Sequence, residues 1–309
     1  MKKNCSTATL GYGWILISFA AFLWGLDGVL LTPRYFALGF YNVKFIVFIS
    51  HLVPLVVLSI LFTGQYKKIK EFKKDDFIYY FLIALFGGTL GTLAIVKALM
   101  LSQFSLSLVT LIQKTQPIFA IILAYTLLKE KPNKRFYIVL AVSLISLYFL
   151  IFGLNSPKLL EENNLRAAMY SLIAAFSFGS STVFSKKIVS NHSFLTTVFY
   201  RYLFTTIISF SILIFSSGSI VSLRQYISSP DLYKLTFIIA LFSLTSLTVY
   251  YKGMITTKAS YATISELAYP LSSVIIEALV YKRILSPIQL IFSAILIISI
   301  IYLNKNNNK

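Results

Sequence analysis

Residues 105–128 read SLSLVTLIQKTQPIFAIILAYTLL, an apolar run interrupted near its middle by Gln113, Lys114, Gln116 and Pro117. Residues 260–280 read SYATISELAYPLSSVIIEALV, with Glu266 and Pro270 at a matching depth. Crossing about 30 Å of hydrocarbon takes roughly 20 residues of helix, so each run is a membrane span with a charge and a proline where both are costly. Aligning the two prolines gives an offset of 153 residues.

That offset recurs along the chain. The segment Ala20-Ala21-Phe22-Leu23-Trp24-Gly25 is answered by Ala174-Ala175-Phe176-Ser177-Phe178-Gly179 at 154 residues, and Lys97-Ala98 by Lys252-Gly253 at 155. Three anchors at nearly one spacing describe an internal duplication. Composition supports a membrane setting for both copies. The 309 residues are 57% hydrophobic and 12% charged, with mean hydropathy +0.80, against roughly 45–50% apolar and 25% charged residues in a soluble domain.

Ten apolar stretches are long enough to cross. They are Tyr12–Thr32, Val43–Thr63, Phe77–Ala98, Ser105–Leu128 and Phe136–Phe152, then Ala167–Ser185, Phe194–Ser216, Tyr233–Ile255, Ser260–Val280 and Pro287–Leu303. The first is too long for a cleaved leader and lacks an Ala-x-Ala site, so it is expected to stay as a span. Five spans per copy is an odd number, so the second copy crosses in the opposite sense. The expected fold is all-α and integral to the membrane, with ten transmembrane helices as two inverted five-helix repeats.

Lysines and arginines outnumber acids 28 to 10, for a net charge of +18. With both termini inside, seventeen basic residues fall in cytoplasmic segments and nine in outer ones, the Lys67–Lys74 loop weighing most and Lys282-Arg283 opposing. This bias predicts cytoplasmic termini in the cytoplasmic (inner) cell membrane. The polar surface is too small for nucleic acid to be the partner of so basic a chain. One cysteine, Cys5, excludes a disulfide framework and a multi-cysteine metal site, and His51 and His192 are too far apart for a local ligand motif. No Walker motif and no cofactor motif is present.

On these residues the chain resembles a ten-helix, EamA-type member of the drug/metabolite transporter superfamily. The Ala20–Gly25 and Ser105–Glu130 segments carry the resemblance, with weaker copies at Ala174–Gly179 and Ser260–Arg283. It spans essentially the whole chain, with EamA-like repeats over 12–152 and 167–303. It implies a central cavity lined by both repeats and a small metabolite as cargo. One position departs from the pattern. Arg283 stands where the first copy has Glu130, so the two loop ends are not expected to do equivalent work.

Ionisable groups at membrane depth point to function by default. Lys114 is the tenth residue of its span, about 14 Å from the outer edge at 1.5 Å per residue. Gln113 and Gln116 share nearly its face, and Pro117 frees the carbonyl of Gln113. Glu266 is the counterpart of Gln113. With Pro270, Ser273 and Glu277 it forms one helix face, and a carboxyl held in low dielectric is costly to ionise, which suits proton coupling. Either Lys114 and Glu266 bind substrate or they lock two helices as an ion pair. Asp27, flanked by Gly25 and Gly28 on a span with Trp24, is expected at the outer mouth, and Trp24 is available to stack on cargo. Tyr269 and Tyr125 are weaker cavity candidates. His51 reads as a packing residue or a proton relay. Lys44 and Arg201 read as anchors that snorkel to the interface. Gly87, Gly91, Ser243 and Ser246 let helices pack closely.

These residues predict a secondary transporter and not an enzyme. Its cargo would be a small polar or zwitterionic metabolite, an amino acid or related compound, moved by alternating access about Lys114, Glu266, Gln113, Gln116, Trp24, Asp27 and Tyr269. Protons are the expected coupling partner through Glu266, and membrane lipid the surroundings. A lipid or headgroup flippase is the alternative. An intramembrane enzyme would need a nucleophile–base pair or metal cluster that the sequence does not supply.

Overall fold

Hydrocarbon offers a peptide group no hydrogen-bond partner, so each apolar stretch must satisfy its own backbone, and a helix does so within one segment. The computed structural model describes residues 12–102, 106–155, 162–216, 219–280, 282 and 284–306, and holds no strand among them. Ten of its helices are long and apolar enough to cross a membrane. They are α1 (Gly13–Ala37), α2 (Val43–Leu61), α3 (Lys74–Leu101), α4 (Leu108–Leu127), α5 (Lys134–Phe152), α6 (Asn163–Val189), α7 (Phe194–Ile214), α8 (Pro230–Met254), α9 (Ala259–Val280) and α10 (Pro287–Lys305).

Each expected span corresponds to one helix, and the ends move for identifiable reasons. α1 runs past Pro33 because a π-helical turn over Asp27–Leu31 resets the hydrogen-bond register and leaves the proline in the first turn of the segment Thr32–Ala37. α3 starts three residues early because the Asp76 carboxylate accepts the Lys73 N–H at 2.8 Å and caps the helix. A second π-helical turn lies within α3, at Ala84–Leu90. α3 runs three residues past the expected end at Ala98, and α6 starts four residues before the expected Ala167, taking in Arg166.

The main helix contacts cross between the copies. α1 packs on α8 and α9, α6 packs on α3 and α4, α2 on α7, and α5 on α10. Advancing every helix by five positions turns the α1–α8 contact into α6–α3 and α1–α9 into α6–α4, and maps the other two onto themselves. This is the exchange of partners expected of two copies related by a two-fold. The repeated glycines explain how the copies meet. A Cβ on Gly179 of α6 would lie 2.6 Å from the Gln116 carbonyl of α4, and one on Gly25 of α1 would lie 3.0 Å from the Tyr269 carbonyl of α9. Each copy's first helix thus seats the other copy's fourth. Gly87, Gly88 and Gly91 of α3 similarly admit Ser181, Thr205 and Phe178.

At the end of the bundle that carries the α2–α3 and α6–α7 connections, rings close the gap between copies. Phe72 stacks on Tyr80 at 4.9 Å and meets Tyr200 and His192 edge-on at 4.6 and 4.9 Å, while His192 Nε2 lies 3.1 Å from Asp76 Oδ2.

Candidate functional site

α4 and α9 are both broken, at corresponding places. With the two residues that precede it, α4 consists of Leu106–Gln113 and Gln116–Leu127, and α9 of Ala259–Ser265 and Ala268–Val280. The cause is in the sequence: Pro117 and Pro270 have no N–H to offer the carbonyls four residues back. Breaking the helix puts each proline in the first turn of a new segment, where that N–H has no intrahelical partner to lose. The connecting turns tighten, Ile118 N–H bonding the Thr115 carbonyl at 3.0 Å and Tyr269 N–H that of Glu266 at 3.1 Å. Lys114 and Glu266 occupy these breaks and are 3% and 4% exposed, so only an internal space reaches them.

That space is a cavity of about 260 Å³ bounded by helices of both copies. Of the residues predicted for the site, the cavity wall brings together Lys114, Glu266, Gln113, Gln116, Trp24, Asp27 and Tyr269, and adds His51. A hydrogen-bond chain runs along one side. Gln113 Nε2 donates to Gln116 Oε1 at 2.7 Å, and Gln116 Nε2 donates to Glu266 Oε2. The other Glu266 oxygen accepts from Tyr250 Oη at 2.9 Å and Thr182 Oγ1 at 3.4 Å. Three neutral donors thus hold the carboxylate.

Among the described residues Lys114 and Glu266 form no direct ion pair. The simple helix lock is therefore not what is built. The Lys114 ammonium instead lies 4.5 Å from the centroid of the Tyr269 ring, a cation–π contact. The Tyr269 hydroxyl packs against Gly28, where a Cβ would lie 2.9 Å from it. Asp27 sits in the π-helical turn of α1, accepts from Thr32 Oγ1 at 3.1 Å and faces the same cavity. Trp24 packs on Tyr250 at 5.2 Å between centroids. His51 Nδ1 bonds the Val47 carbonyl at 2.8 Å, which places its proton there and leaves Nε2 as an acceptor.

Two assignments change. Arg201 does not snorkel to the interface: it is the eighth residue of α7, about 10 Å along at 1.5 Å per residue, and its guanidinium lines the cavity. Tyr125 is 55% exposed on the outside of the bundle, facing the space lipid fills, and takes no part in the cavity. Lys44, one residue into α2, is exposed as expected of an anchor. Tyr250, Thr182, Tyr202 and Ser181 also line the cavity and were not singled out by sequence. Hydroxyl residues are common in these spans, and only the pairing of helices tells which ones turn inward.

Glu130 lies outside the cavity with a clear task. Its carboxylate accepts from Ala259 N at 2.8 Å, Ser260 N at 3.0 Å and Ser260 Oγ at 2.6 Å, so the end of α4 caps the start of α9 across the copies. Lys186 Nζ donates to the Met254 and Ile255 carbonyls at 2.7 and 3.1 Å and caps the end of α8.

Inverted copies, paired broken helices and an internal polar cavity between the copies agree with the comparison to known proteins. The EamA-like transporter family matches residues 11–152 and again 165–305. The chain belongs to that family. It is a multi-pass membrane transporter, not an enzyme. The riboflavin transporter ImpX of Fusobacterium nucleatum is 45% identical over 300 residues, covering 96% of this chain and 98% of that one. A protein of known crystal structure superposes with a TM-score of 0.70 over 94% of this chain and 98% of its own, at 12% identity, a likeness of fold alone.

Proposed function

We propose that this EamA-like transporter carries riboflavin, or a flavin of the same shape, across the cytoplasmic membrane by alternating access of its repeats around the cavity. The observation that carries the reading is the 45% identity to a riboflavin transporter along nearly the whole chain. Riboflavin is a flat, neutral heteroaromatic with carbonyl and imide groups along one edge and a hydroxylated chain on its central ring. Trp24, Tyr250 and Tyr269 offer aromatic faces to such a ring. Gln113 and Gln116 offer both donors and acceptors, as an imide edge requires, and Lys114 offers a donor to a ring carbonyl. Lys114, Glu266, Trp24, Gln113, Gln116, Asp27 and Tyr269 are the proposed substrate-binding residues.

The test is uptake of radiolabelled riboflavin into proteoliposomes with unlabelled competitors. Competition by flavins and not by amino acids is expected. Competition by amino acids alone would favour a zwitterionic cargo, the reading supported by an ammonium and a carboxylate that share the cavity without contact. Proton coupling is assigned to Glu266, the carboxylate held at the break of α9. A Glu266→Gln carrier should lose the response of uptake to an imposed pH gradient, and an unchanged response would sink the assignment. Both termini are assigned to the cytoplasm, a reading supported by the excess of basic residues in the segments on that side. Green fluorescent protein fused after Lys309 should therefore fluoresce in cells.

A further inference from the structure

Two clusters of polar groups stand out in the cavity, with Tyr250 of α8 and Thr182 of α6, which donate to Glu266, lying between them. One set surrounds Lys114 and belongs to α1, α4 and α9: Asp27, Gln113, Gln116, Glu266 and Tyr269. The other is on the side of Arg201 of α7: Ser181 and Arg201 Nη2 both face Gly87, Ser185 Oγ bonds the Tyr251 hydroxyl at 2.9 Å, and the neighbouring Tyr202 bonds Ser243 at 2.8 Å. The Arg201 Nη1 donates to Tyr251 Oη at 3.1 Å, and its carbon lies 5.8 Å from the Tyr251 ring centroid. Among the described residues Arg201 makes no other hydrogen bond and no ion pair, and its buried Nε has no partner. Gly87, in the π-helical turn of α3, leaves the room it fills: a Cβ there would lie 3.2 Å from Nη2.

A guanidinium has five N–H donors and no acceptor, and in a dry site each unused donor carries the cost of desolvation. Here most are unused by the protein and the group borders a cavity. The hydroxyls around it both donate and accept. A polyol, whose oxygens do the same, complements such a surface, whereas a flat ring edge complements the amides and lysine of the other set.

We infer that the Arg201 end of the cavity binds the hydroxylated side chain of the flavin, with the ring at the Lys114 end, and that Arg201 is what distinguishes riboflavin from a flavin lacking that chain. This rests on the flavin reading above. Tyr251 is a positioning residue, since it lies behind the arginine and holds Nη1.

The experiment is flavin binding to the purified full-length chain, followed by fluorescence quenching, with riboflavin, lumiflavin (the same ring with a methyl in place of the chain) and flavin mononucleotide. Wild type should prefer riboflavin to lumiflavin by about tenfold or more, the scale of one charge-assisted hydrogen bond. Arg201→Met should bring that ratio close to one and leave lumiflavin binding within about twofold. Tyr251→Phe, which keeps the ring and removes only the hydroxyl, should lower the ratio in the same direction and guards against misfolding of the first variant. A ratio unchanged in both variants overturns the inference while the flavin reading stands. So does a wild type that prefers the mononucleotide, because the arginine would then read an anion. If neither riboflavin nor lumiflavin binds wild type, the flavin reading itself falls and this inference with it.

Discussion

An ammonium group buried in a helical bundle usually brings a carboxylate with it; Lys114 brings a tyrosine ring instead. Burying it costs solvation free energy that no direct ion pair returns. Its presence is therefore better explained by cargo than by stability, and this has a measurable signature. Lys114→Met should hold or raise the melting temperature of the purified protein in detergent while abolishing stabilisation by riboflavin. A melting temperature lowered by several degrees would make the lysine structural. Tyr250→Phe is expected to act oppositely. It removes one of three donors to the buried Glu266 carboxylate, and should cost about 1–3 kcal/mol of stability, read as a lower midpoint of thermal unfolding. At this scale the sequence was informative where a residue is chemically out of place. Lys114 and Glu266 stand out in apolar runs. Arg201 stands out equally, but its depth depends on where α7 starts and which way it turns, and these are set by packing against α2 and α8.

The helix breaks were foreshadowed by Pro117 and Pro270, because a proline removes a specific hydrogen bond at a known position. The π-helical turns at Asp27–Leu31 and Ala84–Leu90 were not. Such a turn accommodates one extra residue and has no compositional mark, yet it aims Asp27 at the cavity and sets Gly87 beside Arg201. The glycines were visible as a repeated motif, but their partner was not. A motif within α1 gives no hint that it fits the backbone of α9. Gly179→Ala should cost about 1–3 kcal/mol, because the new methyl meets the Gln116 carbonyl, which a flexible side chain cannot relieve. Glu130→Ala should cost about 0.5–2 kcal/mol through loss of the α9 cap. Both are checked by thermal unfolding, and Glu130→Gln, which keeps one acceptor oxygen, should recover part of the second loss.

Viewed as a molecule, each copy finds its main packing partners in the other: α1 with α8 and α9, α6 with α3 and α4. Two consequences follow for expression. Residues 1–158 or 159–309 made alone should be degraded or aggregate, and the two made together should reassemble into a carrier that co-purifies through a tag on either. Recovery of a stable, monodisperse half would contradict that packing. The inverted arrangement was readable from the odd number of spans per copy, whereas the pairing of helices was not, since several pairings satisfy the same inversion.

The copies are related but unequal at one joint. Glu130 fastens α4 to the start of α9 with three hydrogen bonds, while the corresponding position holds Arg283, which has no acceptor to offer a helix N-terminus. A carrier built of identical copies would spend equal time facing each side when empty. This one has a carboxylate at one joint and a cation at the other, so under the alternating access proposed above its two resting orientations are expected to differ in free energy. Such a bias leaves the final distribution of an uncoupled cargo untouched. What it sets is the side on which the empty carrier waits, and therefore the concentration on each side at which transport becomes half-maximal.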